Sequence, residues 1–388
     1  MTRPLFQKVL TVFGTRPEAI KMAPLVKTLN ADERFEHTVC VTGQHREMLD
    51  EVLDIFEITP DFDLNIIEPN QSLSHITSKI LSEMPDILHQ CQPDIVLVHG
   101  DTSTTFAAAL ASFYAKIKVG HIEAGLRTGD IYTPWPEEAN RKLTASITHL
   151  HFAPTQSSAN NLMAEGVDAK NIYITGNTVI DALFLAIDKI QNTSGLLEDL
   201  KTQYSFLSSN KKTILFTGHR RDIFGSGFED ICKTLVKIAE HHQDIQIVCP
   251  LHLNPNIQTP ANQYLKGIDN IYIIKPVGYL DFIYLMDRSD LILTDSGGIQ
   301  EEAPTLGKPV LVMRETTERL EALNAGTVKL VGTSTQTIIS EVEHLLEDTH
   351  SYQKISRVDN PYGDGNSCQK IISVLSGENT IHRLNPKV

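Results

Sequence analysis

The sequence predicts an α/β protein made of two doubly wound halves. Three observations lead there. Short apolar runs recur, each is followed by a longer amphipathic stretch, and the alternation stops once near mid-chain and then restarts. In the first half "VLTVFG", "HTVCVTG", "DIVLVHG", "KVGHIEAG", "LHFAPT" and "IYITGN" read as buried parallel strands. Segments between them, such as 103–115 and 137–149, space their apolar residues as helices do. Residues 191–211, "QNTSGLLEDLKTQYSFLSSNK", have no strand pattern and polar ends, and read as the connection. Beyond it "KTILFTGH", "IQIVCPLH", "IYIIKPV", "DLILTDS", "KPVLVMR" and "TVKLVG" restart the pattern. The domains are therefore expected at 1–190 and 191–361, with a terminal helix at about 362–380 packing back on the first. Two such halves make a cleft between the C-terminal edges of their sheets, where ligands bind in open α/β sheets.

With 388 residues the chain is long enough for two cores. Its 41% hydrophobic and 21% charged residues are those of an ordinary globular protein. A net charge of −14 gives no support for binding nucleic acid or an anionic membrane, so an anionic substrate needs a local cationic pocket. The five cysteines are scattered, which argues for reduced thiols and against a disulfide framework or a zinc site. His241 and His242 are adjacent on a helix, about 100° apart, and make a poor metal pair. The start of the chain lacks a signal-peptide layout, and no apolar run approaches the ~20 residues that span a bilayer. A cytoplasmic enzyme without a metal is the expectation.

The strongest local signal is "TDSGGIQEEAPTLGKP", 294–309. A strand ends near Asp295, and a helix should start near Ile299. Ser296, Gly297 and Gly298 would then offer backbone N–H groups to an anion at a positive helix end. Glu302, a turn further on, is suited to a ribose diol. "FGTRPEAIKMAPL", 13–25, occupies the same position in the first half. Pro17 and Glu18 suit a first helical turn. Arg16 and Lys21 are either phosphate ligands or surface cations. "TGHRRDIFGSGFEDI", 217–231, puts His219 at a strand tip among arginines, where neighbouring charge should keep it neutral. Arg319 in "ETTERLEALNAG" is either an ion-pair partner or a further cation at the rim. Finally, Asp101, Glu123 and Glu137 lie where strands give way to loops or a helix begins, with two arginines near. Three acids at one edge suggest general acid–base work, and crowding should raise their proton affinity.

These motifs resemble one family along nearly the whole chain. "GTRPEAIKMAPL", "TGQH", "HGDTSTTFAA", "GHIEAGLRTGD", "PEEANR", "TGNTVIDAL", "TGHRR", "HLNPN", "TDSGGIQEEAPTLGKPVLVMR", "TTER" and "NPYGDG" look like the bacterial non-hydrolysing UDP-N-acetylglucosamine 2-epimerases. The resemblance implies the glycosyltransferase B architecture, two Rossmann-like domains with a cleft between them. It also implies exchange of UDP-N-acetylglucosamine with UDP-N-acetylmannosamine for surface polysaccharide synthesis, no cofactor, and a homodimer. By that resemblance Asp101, Glu123, Glu137 and His219 form the acid–base group. Arg16, Lys21, Val277, Phe282, Ser296, Gly297, Gly298, Glu302 and Arg319 contact the nucleotide-sugar. Val277 stands where some members have glutamine, so its contact would be made by backbone. Gln44 and His252 match a second, activating substrate site, from whose pattern Glu47 and Asn70 depart.

The implied chemistry explains the acids. The C2 proton is scarcely acidic until the C1–O bond begins to break. Its loss from one face and return to the other needs more than one acid–base group. The rival readings are a hydrolysing 2-epimerase, a glycosyltransferase of the same fold and a nucleotide-sugar sensor.

Overall fold

A computed structural model describes residues 5–44, 46–68, 71–218 and 226–378. It separates into two compact units, Met1–Phe184 with Tyr362–Val388, and Leu185–Pro361.

The first unit holds a parallel sheet of seven strands: β1 (Lys8–Phe13), β2 (Glu36–Val41), β3 (Phe62–Asp63), β4 (Ile95–His99), β5 (Lys118–Ile122), β6 (Leu150–Ala153) and β7 (Ile172–Ile174). Their spatial order is β3-β2-β1-β4-β5-β6-β7, and every pairing is parallel. Near-continuous apolar runs form strands here because helices cover both faces: all five residues of β4 are buried. β3 is two residues long and carries no apolar run, which is why the sequence pattern passes over it. The helix Ser367–Ser376 belongs to this unit. Its first amides, Ser367 and Cys368, donate to Asp181 at 3.2 and 2.9 Å.

The second unit repeats the plan with six strands: β8 (Lys212–Thr217), β9 (Ile245–Pro250), β10 (Ile271–Ile274), β11 (Leu291–Thr294), β12 (Val310–Val312) and β13 (Val328–Leu330). Their order is β10-β9-β8-β11-β12-β13, again parallel. Residues 191–211, read as a connection, contain the helix Leu196–Gln203. The ring of Tyr204 then stacks on Tyr284 at 5.8 Å and donates its hydroxyl to Asp281 at 2.8 Å. This segment is packed structure.

In each sheet the chain winds outward one way and then returns to the middle to wind the other way. The reversal falls between β1 and β4, and between β8 and β11. A crevice opens beyond the C-terminal strand ends at such a point, which marks where each unit should carry its functional residues.

Candidate active site

At the first reversal, β1 ends at Phe13 and Gly14 leads into the helix Arg16–Asn30. A Cβ on Gly14 would lie 1.9 Å from Thr42 Oγ1 and 2.6 Å from Thr104 Oγ1, so a side chain is sterically excluded. Glu18 closes a capping box on this helix. Its Oε2 accepts from the Gly14 and Thr15 amides at 3.0 and 2.8 Å. Its Oε1 accepts from the hydroxyls of Thr102 and Thr105 at 2.6 and 3.1 Å. One buried carboxylate thus ties the β1 tip to the β4 tip. Burial pushes the Glu18 carboxyl above its ordinary value, while those hydrogen bonds pull it down. Read alone, Glu18 serves only the helix dipole; the tie to residues 84 and 87 positions away is tertiary.

β4 ends at His99, and Gly100 turns the chain with φ +69°. His121 on β5 donates from Nε2 to the Gly100 carbonyl at 2.7 Å, and Asn140 donates to the Asp101 carbonyl at 2.8 Å. Arg141 then grips the Asp101 carboxylate, with Nε and Nη2 at 3.0 and 2.6 Å from Oδ2. Arg141 follows Glu137 by one turn on the helix Glu137–Ile147, so both lie on one face. Its Nη1 donates to the buried Glu138 at 3.2 Å. Glu137 keeps a buried Oε2 with no hydrogen-bond partner among the described residues, and Arg16 keeps a buried Nε in the same condition.

Glu123 follows β5 in left-handed backbone, φ +61°. For a residue with a Cβ this conformation costs about 1–2 kcal/mol, and such strain gathers at functional positions. Its side chain is held firmly in compensation. Oε2 accepts from the Lys21 ammonium and from Asn177 Nδ2, the latter at 2.6 Å. Asn177 is fixed by the returning C-terminal segment, its amide donating to the Tyr362 carbonyl at 2.7 Å. Gly176 makes that approach possible, since a Cβ there would lie 2.7 Å from Ser367 Oγ and 3.0 Å from Tyr362 O. A Cβ on Gly100 would come 3.7 Å from Glu123 Oε1, so the carboxylate reaches back to the β4 tip beside Asp101.

The three acids therefore share one edge, but crowding is not their environment. Asp101 and Glu123 each hold a separate cation, Arg141 and Lys21, in place of the mutual repulsion expected from sequence. At the same edge Gln44 follows β2 and accepts from Thr104 at 3.2 Å.

The second unit's crevice is built differently. Beyond β11 the Ser296 amide donates to Thr294 Oγ1 at 3.0 Å, and that hydroxyl is 2.6 Å from Thr217 Oγ1 on β8. Gln300 donates to the Ser296 carbonyl at 3.0 Å and accepts from Thr317 at 2.7 Å; Thr317 accepts from the Arg319 amide at 3.1 Å. Each link fixes the next, from the strand pair to Arg319. The Arg319 guanidinium lies close over Gly297, 3.7 Å from where a Cβ would be, and its Nε donates to the buried Glu301 at 2.5 Å. Burial alone would push the neighbouring Glu318 up, but Arg319 and Arg314 outweigh it and hold its carboxyl at about 2. Glu302 accepts from the Tyr279 hydroxyl at 3.2 Å.

The helix expected near Ile299 starts there, and it is short. The α-helix after Gly298 is the single turn Ile299–Glu302, continued by the 3₁₀ turn Ala303–Leu306. Pro304 lacks the N–H that an α-helix would need, so no long helix dipole points at Gly297 and Gly298. What remains is their amides and Arg319. Phe282 and Val277 are half-buried on and before the helix Tyr279–Arg288, and His252 is exposed just after β9. His219 lies outside the described residues, as does Asn70. Sequence reading missed Arg141, Asn177, Tyr279 and Glu301. The signal for Arg141 was available in its four-residue spacing from Glu137.

Two parallel doubly wound units, one with charge-compensated acids at its sheet edge and one with a glycine pair beneath an arginine, define an α/β enzyme of the glycosyltransferase B type. Residues 27–376 match the family model described as UDP-N-acetylglucosamine 2-epimerase. The chain belongs to that family of isomerases. It is 59% identical over 368 residues to the UDP-N-acetylglucosamine 2-epimerase of Yersinia pestis, covering 95% of this chain and 98% of that one. The same figures hold for the enzyme of Escherichia coli K12. The crystal structure of the Neisseria meningitidis UDP-GlcNAc 2-epimerase bound to UDP-GlcNAc superposes with a TM-score of 0.88 at 52% identity, covering 95% and 99% of the two chains. No helix among the described residues is long and apolar enough to cross a membrane.

Proposed function

We propose that this chain inverts C2 of UDP-N-acetylglucosamine to give UDP-N-acetylmannosamine, reversibly and without hydrolysis. One observation carries the reading: Glu123, in strained backbone, is clasped by Lys21 and Asn177 beside the Arg141–Asp101 pair. Such a carboxylate is held in place by two donors before substrate arrives, as a base must be.

The reaction balances without a redox partner. The C1–O bond breaks, and its electron pair leaves with UDP. An acid–base group removes the C2 proton from the face opposite UDP, and the C–H electrons form the C1=C2 bond of a 2-acetamidoglucal. UDP oxygen then re-forms the bond to C1 as a proton is delivered to the other face of C2. Asp101, Glu123, Glu137 and His219 are the proposed acid–base set. The buried, unpartnered Glu137 Oε2 and Arg16 Nε have hydrogen-bonding capacity left for a ligand. Arg16, Lys21, Val277, Phe282, Ser296, Gly297, Gly298, Glu302 and Arg319 are the proposed nucleotide-sugar contacts, with Gln44 and His252 at a second substrate site. A cytoplasmic homodimer that supplies surface polysaccharide synthesis completes the proposal.

Incubation with UDP-N-acetylglucosamine in deuterated water tests it. The expected products are two UDP-sugars, both deuterated at C2. Free N-acetylmannosamine would point to the hydrolysing reaction, and unchanged, undeuterated substrate would reject epimerisation.

A further inference from the structure

His99 is used by nothing described so far. It is the last residue of β4, 3% exposed, and neither ring nitrogen has a hydrogen-bond partner among the described residues. Buried polar groups without partners are uncommon and call for an explanation. Its Nε2 lies 3.9 Å from Glu123 Oε2, just outside hydrogen-bond reach of the oxygen that Lys21 and Asn177 occupy. Its carbonyl is pinned by Thr105 Oγ1 at 2.5 Å, and Thr105 is tied in turn to Glu18, so the backbone of His99 is fixed. Burial, the largest influence, holds the imidazole neutral, with its pKa down at about 4; Glu123 and Asp101 pull it up and Lys21 pulls it down. The charged and titratable groups around it are His121 on β5 and Glu123 just after it, Lys21 and Glu18 from the first helix, and Asp101, itself paired with Arg141.

We infer that His99 is a reserve hydrogen-bond donor to Glu123, a positioning residue that takes over when substrate draws Lys21 away. This rests on the reading above, in which Lys21 contacts the diphosphate. Withdrawing that ammonium removes a cation from Glu123 in a buried site, which strengthens the carboxylate as a base. Taken too far, the same change would leave Glu123 protonated at neutral pH and useless for abstraction. A neutral imidazole N–H moving about 1 Å inward restores one donor, within ordinary hydrogen-bond range, and limits the rise without adding charge. The empty ring nitrogens of the resting enzyme are then the unpaired half of an exchange between two partners.

The pH dependence of kcat tests this, because its acid limb reports the base in the substrate complex. In His99→Leu the limb should move up by about one pH unit, with kcat at neutral pH reduced and KM little changed. His99→Gln, which keeps an N–H donor, should hold the limb close to that of the wild type. Should the leucine variant fail to fold, ¹⁵N-histidine NMR of the wild-type protein serves, since saturating UDP should shift the His99 ring nitrogen. An unmoved limb in His99→Leu, or an unmoved resonance, overturns the role of His99. Absence of C2 deuterium in the wild-type products would instead overturn the epimerase reading, so the two failures are distinct.

Discussion

The two sheet edges share a topology and differ in how their working groups are held. At the first, charged side chains are secured by other charged side chains, Asp101 by Arg141 and Glu123 by Lys21, with the neutral amide of Asn177 added at Glu123. At the second, neutral links from Thr217 through Thr294, Ser296, Gln300 and Thr317 reach Arg319 and fix the backbone around a glycine pair. Ion pairs between side chains can be exchanged for contacts to a ligand, one at a time. A chain of hydroxyl, amide and backbone bonds is expected to yield as a unit. An edge proposed to move protons has the first design, and an edge proposed to grip a nucleotide has the second.

Acid should separate the units most strongly. His37, His99 and His121 are held down to about 4, and His151 to about 3, chiefly by burial, and all four lie in the first unit. An unfolded chain binds protons on these imidazoles below about 6.5, while the folded one does not until about 4. Protons therefore favour unfolding, and stability falls as pH drops from about 6.5 to 4, by several kcal/mol over the four groups. Hydrogen exchange at pH 7 and pH 5 should show protection lost first in β2, β4, β5 and β6. Equal losses in both units would contradict that difference.

Next in size is Asp101→Asn. Loss of an acid–base group costs about 10²–10⁴-fold in turnover, and the UDP contacts proposed in the second unit are untouched. Isothermal titration should find UDP affinity nearly unchanged while the C2 exchange rate collapses. Normal turnover would remove Asp101 from the chemistry and leave its pair with Arg141 as a structural bond.

How far the sequence revealed these edges depends on the range of the interactions involved. Among the described residues twelve of the thirteen strands follow apolar runs, because a strand covered on both faces is written locally; β3 lacks such a run. Asp101 and Glu123 were legible as polar residues ending those runs. Their partners were not, since Lys21 meets Glu123 across 102 positions and Arg141 meets Asp101 across 40. Asn177 and Tyr362 stood inside recognisable motifs, yet only the folded chain shows the Tyr362 carbonyl fixing the backbone of Asn177, whose side chain holds Glu123. The shortness of the helix after Gly298 was legible at Pro304, a signal the reading of the glycine pair did not use.

Arg319→Ala comes third. Losing a charge-assisted bond to a diphosphate should weaken UDP binding by roughly 1–3 kcal/mol. Stability should fall too, because Arg319 also neutralises the buried Glu301. Titration and thermal unfolding should both shift, and unchanged UDP affinity would confine Arg319 to its ion pair.

Thr317→Val is the mildest change and bears most directly on the contrast between edges. Its volume is nearly conserved, and it loses only the hydroxyl that donates to Gln300 and accepts from the Arg319 amide. Two neutral links of this kind are worth about 0.5–1.5 kcal/mol each, a modest loss in melting temperature. If the second edge works as a unit, that loss should reappear as weaker UDP binding, although Thr317 itself is not among the proposed contacts. A valine variant with lower stability and full UDP affinity would show that the links to Arg319 yield separately, and the two edges would then differ in chemistry alone.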